Sequence, residues 1–333
     1  MEKVITLKDI AKKIGVSTTT VWKALNNHPD ISPKRRKQIL ELASEMKYIR
    51  NAIATNLRTK TTRFIGLIVS DNTNPYYARL IKGAEEEITL HNYHTIIFNT
   101  NENPEREFEF IRSLLSIKIA GVIITPAKGN PESIKILKDF KIPYVLANRY
   151  LKVNKDNYVV ADDIKAGYIA TDYLIKNRFK KIIFINGFED VTSAINRRLG
   201  YESALKDNGL SRDQTNVYSG IINNTEGYKI TKSRVLVDHK PPFSILCYSD
   251  FVASGVIKCL SEMEFKIPDD IAVMGIDNIE LLSFFHPSLS TINIPRFQIG
   301  KKSAEMLFNL MENPDYPDNR IMLEPKLIVR ETA

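Results

Sequence analysis

Several loops of this chain carry side chains able to hold a small molecule, each directly after an apolar run. Asp71-Asn72 and Asn74-Pro-Tyr-Tyr77 come first, and Asn148-Arg149, Gly187 to Arg197, Tyr248-Ser-Asp250 and Asp277-Asn278 follow. Planar amides, carboxylates, arginines and tyrosine rings suit a polyhydroxylated ligand, which needs many donors and acceptors plus faces to stack on. Any one of these loops is equally well read as an ordinary turn, because Asp, Asn and Gly are turn residues. Their joint appearance after successive apolar runs is the argument for a ligand site. A second set lies near the N-terminus. Thr18, Thr19 and Thr20 open a short helical pattern and Lys23 follows one turn later. Threonine offers a hydroxyl to several bases and a methyl to thymine, and lysine reaches a guanine edge or a phosphate.

Other chemistry finds little support. No GxGxxG, Walker-type loop, GxSxG or HExxH occurs, so nucleotide binding and hydrolysis lack their signatures. His91 and His94 stand beside Glu85, Glu86 and Glu87 but offer no evident third ligand, so no metal site and no cofactor is expected. The two cysteines, Cys247 and Cys259, are too few for a disulfide framework and suit a reducing compartment. No apolar run reaches the roughly 18 residues of a membrane span, and the N-terminus lacks a secretory h-region. The expectation is a cytoplasmic, nucleoid-associated, non-enzymatic protein without a membrane partner.

The charge distribution sharpens this. Residues 1–60 hold 13 Lys+Arg against 5 Asp+Glu, which accounts for the whole net charge of +8. A basic head on a neutral body implies a polyanion partner for the head alone. Within the head, Leu7, Ile10, Ala11 and Ile14 form a helical stripe that Gly15 ends. Ser17 caps a second helix from about Thr18 to Asn26, and Ser32-Pro33 starts a third with Ile39, Leu42, Ala43 and Met46 inward. Helix, glycine-containing turn and helix make a helix-turn-helix. Lys34, Arg35, Arg36 and Lys37 oppose the dipole of the third helix, which makes sense beside a phosphate backbone. A three-helix bundle for protein contacts is the plainer alternative.

From Arg63 the pattern becomes α/β. Strands are expected at Phe64–Val69, Thr95–Asn99, Gly121–Thr125, Tyr144–Ala147, Ile182–Asn186, Ser244–Cys247 and Ile271–Gly275. Helices are expected at Tyr77–Leu90, Arg106–Ile117, Ile164–Asn177, Phe251–Glu264 and Phe297–Met311, with a closing strand at Ile321–Val329. So many elements fit two lobes with parallel sheets better than one. The expected organisation is an all-α helix-turn-helix head over residues 1–60 and a body over 61–333.

Thr6-Leu-Lys-Asp-Ile-Ala11, Gly15-Val-Ser17, Thr20-Val21, Ala24-Leu-Asn26, Tyr48, Asn51-Ala52, Ala54 and Leu57-Arg58 give the chain a close resemblance to the lactose- and galactose-repressor (LacI/GalR) family of bacterial transcription regulators. The resemblance runs on through the body. It implies a two-lobed periplasmic-binding-protein-like body and a homodimer on a near-palindromic double-stranded operator. It also implies a hinge helix, about residues 51–58, whose Leu57 wedges into the minor groove with Ala54 packed beside it. The implied DNA-binding residues are Thr6, Ser17, Thr18, Thr19, Thr20, Trp22, Lys23, Asn26, Asn51, Ala54 and Leu57. The implied effector residues are Asn72, Tyr76, Tyr77, Asn148, Asp162, Arg197, Ile222, Ser249 and Asp277, around a carbohydrate or sugar-derived effector. The chain departs from the family where Trp22 replaces a serine, Lys23 an arginine and Arg50 a proline. Lysine cannot supply the bidentate fork of arginine, so the family's common operator sequence does not carry over. After Val329 only Arg330-Glu-Thr-Ala333 remain, with no heptad tail for tetramers, so a dimer is the expectation. A transport receptor with the same body, or an α/β enzyme, are the other classes. The first lacks a signal segment and the second a catalytic constellation.

Overall fold

The computed structural model describes residues 5–48, 62–128, 131–151, 156–211, 216–314, 316–317 and 319–333. The chain divides into two compact units, Met1–Lys60 and Thr61–Ala333.

In the first unit, local sequence signals account for each helix end. Thr6 and Asp9 form a reciprocal capping box for α1 (Leu7–Ile14), and Gly15 closes it at φ 72°. Ser17 caps α2 (Thr18–Leu25), and Ser32 with Pro33 starts α3 (Pro33–Glu45). The core is small. Ile10, Ala11, Val21, Ala24, Ile39 and Ala43 are buried, with Leu7, Ile14 and Tyr48 packed around them.

The second unit holds two six-stranded sheets. The first lobe runs β1 (Phe64–Val69), α4 (Pro75–Leu90), β2 (His94–Asn99), α5 (Pro104–Ser116), β3 (Gly121–Ile124), α6 (Pro131–Asp139), β4 (Tyr144–Ala147) and β5 (Tyr158–Ala161). The second runs α7 (Asp163–Asn177), β6 (Ile182–Ile185), α8 (Thr192–Asp207), β7 (Asn216–Tyr218), α9 (Asn224–Ile230), β8 (Phe243–Cys247), α10 (Asp250–Glu262), β9 (Ile271–Asp277) and β10 (Ser290–Asn293). The chain then returns through α11 (Arg296–Glu312) and β11 (Arg320–Leu323) to the first sheet, and ends in β12 (Lys326–Ile328) of the second. The strand order is β11-β5-β4-β3-β1-β2 in the first sheet and β12-β10-β9-β8-β6-β7 in the second, and pairing is parallel except for β10 with β12. Apolar, both-faces-buried strands such as β3, β6 and β8 explain this, since helices cover both sides of each sheet.

The expected closing strand Ile321–Val329 is corrected. It is two strands in different sheets, because Glu324-Pro325 breaks the run and Pro325 cannot donate to a ladder. Strands β5, β7 and β10 add to those read from sequence.

Helix pairing places the ligand-facing side chains. A Cβ on Gly167 would lie 2.1 Å from the Arg197 carbonyl oxygen, and one on Gly200 would lie 1.9 Å from that of Ile164. The two glycines let α7 and α8 touch backbone to backbone, and this contact seats Arg197 against the start of α7.

Candidate functional site

The loops beyond the carboxyl ends of β1, β2, β4, β6, β7, β8 and β9 converge on one cavity, the place where open α/β sheets bind ligands. Tyr76, Tyr77, Asn148, Arg197, Ile222, Ser249 and Asp277 all line it, as do Arg149 and Tyr248. Its space for water-sized molecules is about 50 Å³, room for a few waters.

Two arginines organise the cavity. On the second lobe, Arg197 is 3% exposed. Its Nε donates to Asp163 Oδ1 at 2.7 Å and its Nη1 to the Tyr248 carbonyl, while the guanidinium lies 4.7 Å from the Tyr248 ring centre. Its Nη2 stands 3.7 Å from Asp277 Oδ1, beyond hydrogen-bond reach. On the first lobe, Arg149 grips Glu102 with both arms, Nη2 to Oε1 at 2.6 Å and Nη1 to Oε2 at 2.9 Å. Tyr76 donates to Asn148 Oδ1 at 2.6 Å, and the Tyr77 hydroxyl pairs with Ser70. Burial keeps the Tyr77 phenol protonated, its pKa pushed up to about 12.

With the Nε of Arg149, Asp277 is the exception in an otherwise satisfied set. It is 1% exposed, its Oδ1 finds no hydrogen-bond partner among the described residues, and its φ is 139°. An L-residue there is strained, and strain of this kind persists where surrounding structure enforces it, often at ligand sites. Burial, then the nearby Asp250 charge, raises its pKa, while Arg197 and Arg296 pull the other way. Asp250 is a different case. Its Oδ1 accepts from Thr291 at 2.5 Å and its Oδ2 from the Ile279 amide at 2.7 Å, so it clamps the loop that carries Asp277.

Two expected effector residues stand apart from the cavity. Asn72 sits at the exposed rim, in reciprocal hydrogen bonds with Asn99. Asp162 caps α7 through the Lys165 amide and lines a different surface cavity with Tyr150 and Tyr168. It is the next residue, Asp163, that meets Arg197. Ser70 and Glu102 line the cavity and were not singled out in the sequence. Glu102 sits in Asn101-Glu-Asn-Pro104, which reads as a turn, and only its position after an apolar strand marks it.

In the head, Thr18 and Thr19 are exposed on the first turn of α2. The Thr20 hydroxyl shares a 2.8 Å hydrogen bond with the capping Ser17, and Trp22 is half-buried. Lys23 is tied to Asp30 at 2.6 Å. Asn26 donates back to the Trp22 carbonyl, and Thr6 is held in its capping box. Arg36, grouped above with phosphate-facing cations, instead donates to the His28 carbonyl at 2.7 Å and braces the turn before α3. Asn51, Ala54 and Leu57 lie outside the described residues. No helix among the described residues is long and apolar enough to cross a membrane.

Comparison with known proteins agrees with both regions. A sequence profile for bacterial regulatory proteins of the lacI family matches residues 6–51, and one for periplasmic binding proteins and the sugar binding domain of the LacI family matches residues 62–325. The chain is 31% identical over 330 residues to the HTH-type transcriptional repressor PurR of Histophilus somni (strain 2336), covering 98% of each chain. It superposes on the lac repressor dimer bound to operator and the anti-inducer ONPF with a TM-score of 0.86, covering 99% of each chain at 21% identity, a likeness of fold. A LacI family transcriptional regulator from Enterococcus faecium with bound ribose matches at TM-score 0.74 and 25% identity, over 81% of this chain and 98% of that one. A helix-turn-helix head, a two-sheet body and full-length relatives that are repressors rather than enzymes lead to one conclusion: the chain belongs to the lacI family of bacterial regulatory proteins and is a DNA-binding transcriptional regulator with an effector-binding body.

Proposed function

We propose that this protein is a repressor whose operator affinity is set by a small, polyhydroxylated, sugar-like effector held between the lobes of the body. Asp277 carries the reading. A buried carboxylate oxygen without a partner, on strained backbone and 3.7 Å from an arginine arm, is completed by a ligand hydroxyl that donates to it and accepts from Arg197. Tyr76, Tyr77, Tyr248 and Ile222 supply faces, and Asn148 and Ser249 further polar edges. The relative with bound ribose supports a monosaccharide-sized ligand. The narrow cavity admits one as side chains or lobes move apart.

Two chains pair through their bodies and present two heads to half-sites of a near-palindromic operator. Thr18, Thr19, Thr20, Trp22, Lys23 and Asn26 of α2 face the major groove, with Thr6 and Ser17 near the backbone and Asn51, Ala54 and Leu57 forming the minor-groove contact. Effector and operator favour different arrangements of the lobes, so each changes the other's affinity by the same factor.

A thermal-shift screen of the full chain against neutral sugars, sugar phosphates and nucleobases tests the ligand class, followed by operator gel shifts with any hit. A neutral sugar is expected to raise the melting temperature and change operator affinity. Arg197→Ala should remove both responses and still bind operator. A shift with nucleobases alone would replace the sugar, and a full response in Arg197→Ala would remove the cleft from the account.

A further inference from the structure

The cleft reads as a sugar site, and on that reading its charge bookkeeping has a chemical consequence. Sugars reach a regulator as neutral molecules or as phosphate esters, and the two differ by a dianion that needs a free cation. Both arginines of the cavity are already engaged. Arg149 spends its two arms on Glu102 and adds a 3.1 Å hydrogen bond from Nη1 to the Pro126 carbonyl. Its Nε has no hydrogen-bond partner among the described residues, but it is buried out of reach of solvent. Arg197 is shared among Asp163, Asp277 and the Tyr248 carbonyl. The two helix starts that open on the cavity are closed as well, by Asn74 on the Tyr76 amide at 2.9 Å and by Ser249 on the Val252 amide at 3.2 Å. Against the two arginines stand the carboxylates of Asp71 and Glu102, with Asp163 held on Arg197, so the lining offers an entering anion no excess of positive charge.

We propose that Glu102, by occupying Arg149 in a two-armed ion pair, is the specificity residue that restricts this cleft to uncharged ligands and turns away phosphorylated sugars. Burial alone would make the Glu102 carboxylate easier to protonate. The Arg149 charge and its hydrogen bonds, with help from Ser70 and the Lys128 backbone, outweigh that and hold its pKa below the ordinary value. The pair is therefore intact at neutral pH. Removing the carboxylate while keeping the side-chain shape turns Arg149 into a buried, unpaired cation, the kind of group that captures a phosphate.

The test uses the full chain and does not require the natural effector. Melting temperature is measured with inorganic phosphate against chloride at matched ionic strength, and by titration with D-ribose and D-ribose 5-phosphate. Wild type should show no phosphate-specific rise. Glu102→Gln should gain a rise of a few degrees and bind ribose 5-phosphate at least about tenfold more tightly than wild type. Glu102→Gln combined with Arg149→Met should lose that gain, which separates the cleft from phosphate held by the basic head. A phosphate-specific rise in wild type that Arg149→Met abolishes overturns the proposal, as does a folded Glu102→Gln that gains nothing. If Glu102→Gln does not fold, wild type alone decides, since equal affinity for ribose and its phosphate also overturns it. If no sugar binds while phosphate behaves as stated, the sugar reading fails and the gate at Glu102 stands.

Discussion

The head and the cleft recognise their partners by opposite uses of the same polar residue types. In the head, the groups that face outward are positioned by neighbours three to eight residues away and stay exposed, as Thr18 and Thr19 do beside the cap of Ser17. Where such a group has a partner, as Lys23 has Asp30, the contact is at the surface and easily exchanged for a phosphate or a base. In the cleft, the groups come from loops tens to hundreds of residues apart and are mostly buried, and among the described residues only one oxygen of Asp277 and the Nε of Arg149 in this set lack a hydrogen-bond partner. A surface that must slide along DNA before it stops benefits from many weak, replaceable contacts. A pocket that must report one ligand benefits from a rigid set with few unmet demands. The two regions should therefore fail independently, and the following changes are chosen to break that separation.

The largest effect is expected from Ile39→Ala. Ile39 is fully buried in a core of a few small helices, and deleting such a side chain costs about 2–5 kcal/mol. A unit of this size has little stability to spare. Operator affinity should fall by about 100-fold or more in gel shifts, while the ligand-induced rise in melting temperature of the body stays at the wild-type value. Loss of the ligand response in this variant would show that the regions are not separable.

Asp277→Asn addresses the other side. Replacing the oxygen that meets the ligand hydroxyl by an amide leaves buried groups mispaired at about 1–3 kcal/mol, so ligand affinity should drop by about 5- to 100-fold with operator binding unchanged. Stability moves the opposite way. Because burial raises the folded-state pKa of Asp277, the native protein holds a proton that the unfolded chain has already released. The stability this contributes is full below the ordinary carboxylate range and is lost as pH rises through the folded value. Asparagine does not ionise, so the melting-temperature advantage of Asp277→Asn over wild type should grow with pH. A flat difference across the neutral range would show that Asp277 does not titrate there.

The same contrast explains what was legible in the sequence. Head signals are local: Thr6 with Asp9, Gly15, Ser17 and Ser32-Pro33 each act within one turn, so sequence spacing and structure coincide. The body strands were legible as apolar runs, and the rule that ligands gather beyond strand ends brought Tyr76, Asn148, Arg197 and Asp277 to one cavity, with Ile222 added by the family resemblance. The missing parts are those that tertiary structure decides. Glu102 looks like a turn residue until Arg149, 47 positions away, pairs with it. The neighbours Asp162 and Asp163 are indistinguishable in sequence, and the first turn of α7 points one at Lys165 and the other at Arg197. Asn72 followed the pattern and lies at the rim, because the chain turns outward at Asp71, which accepts from Thr73.

Ser17→Ala is expected to have a moderate effect. It removes the cap from α2 and the partner of the Thr20 hydroxyl, at about 1 kcal/mol. Operator affinity should fall by about fivefold, and the body's melting transition should not move.

The smallest change tests the exchange idea most directly. Lys23 is held by Asp30, whose pKa lies below the ordinary carboxylate value because of that hydrogen bond, so the pair is intact at neutral pH. Both side chains are substantially exposed, so neither variant should alter head stability measurably. Lys23→Gln removes the cation and should lower operator affinity severalfold, reducing the slope of log affinity against log salt by about one if Lys23 meets a phosphate. If it meets a base edge instead, the slope should hold and discrimination among operator sequences should relax. Asp30→Asn leaves Lys23 in place and frees it, so operator affinity should rise slightly. A fall in affinity on Asp30→Asn would mean that the ion pair aims Lys23 at the DNA and is not exchanged for it, which would make the head, like the cleft, a surface built on fixed pairs.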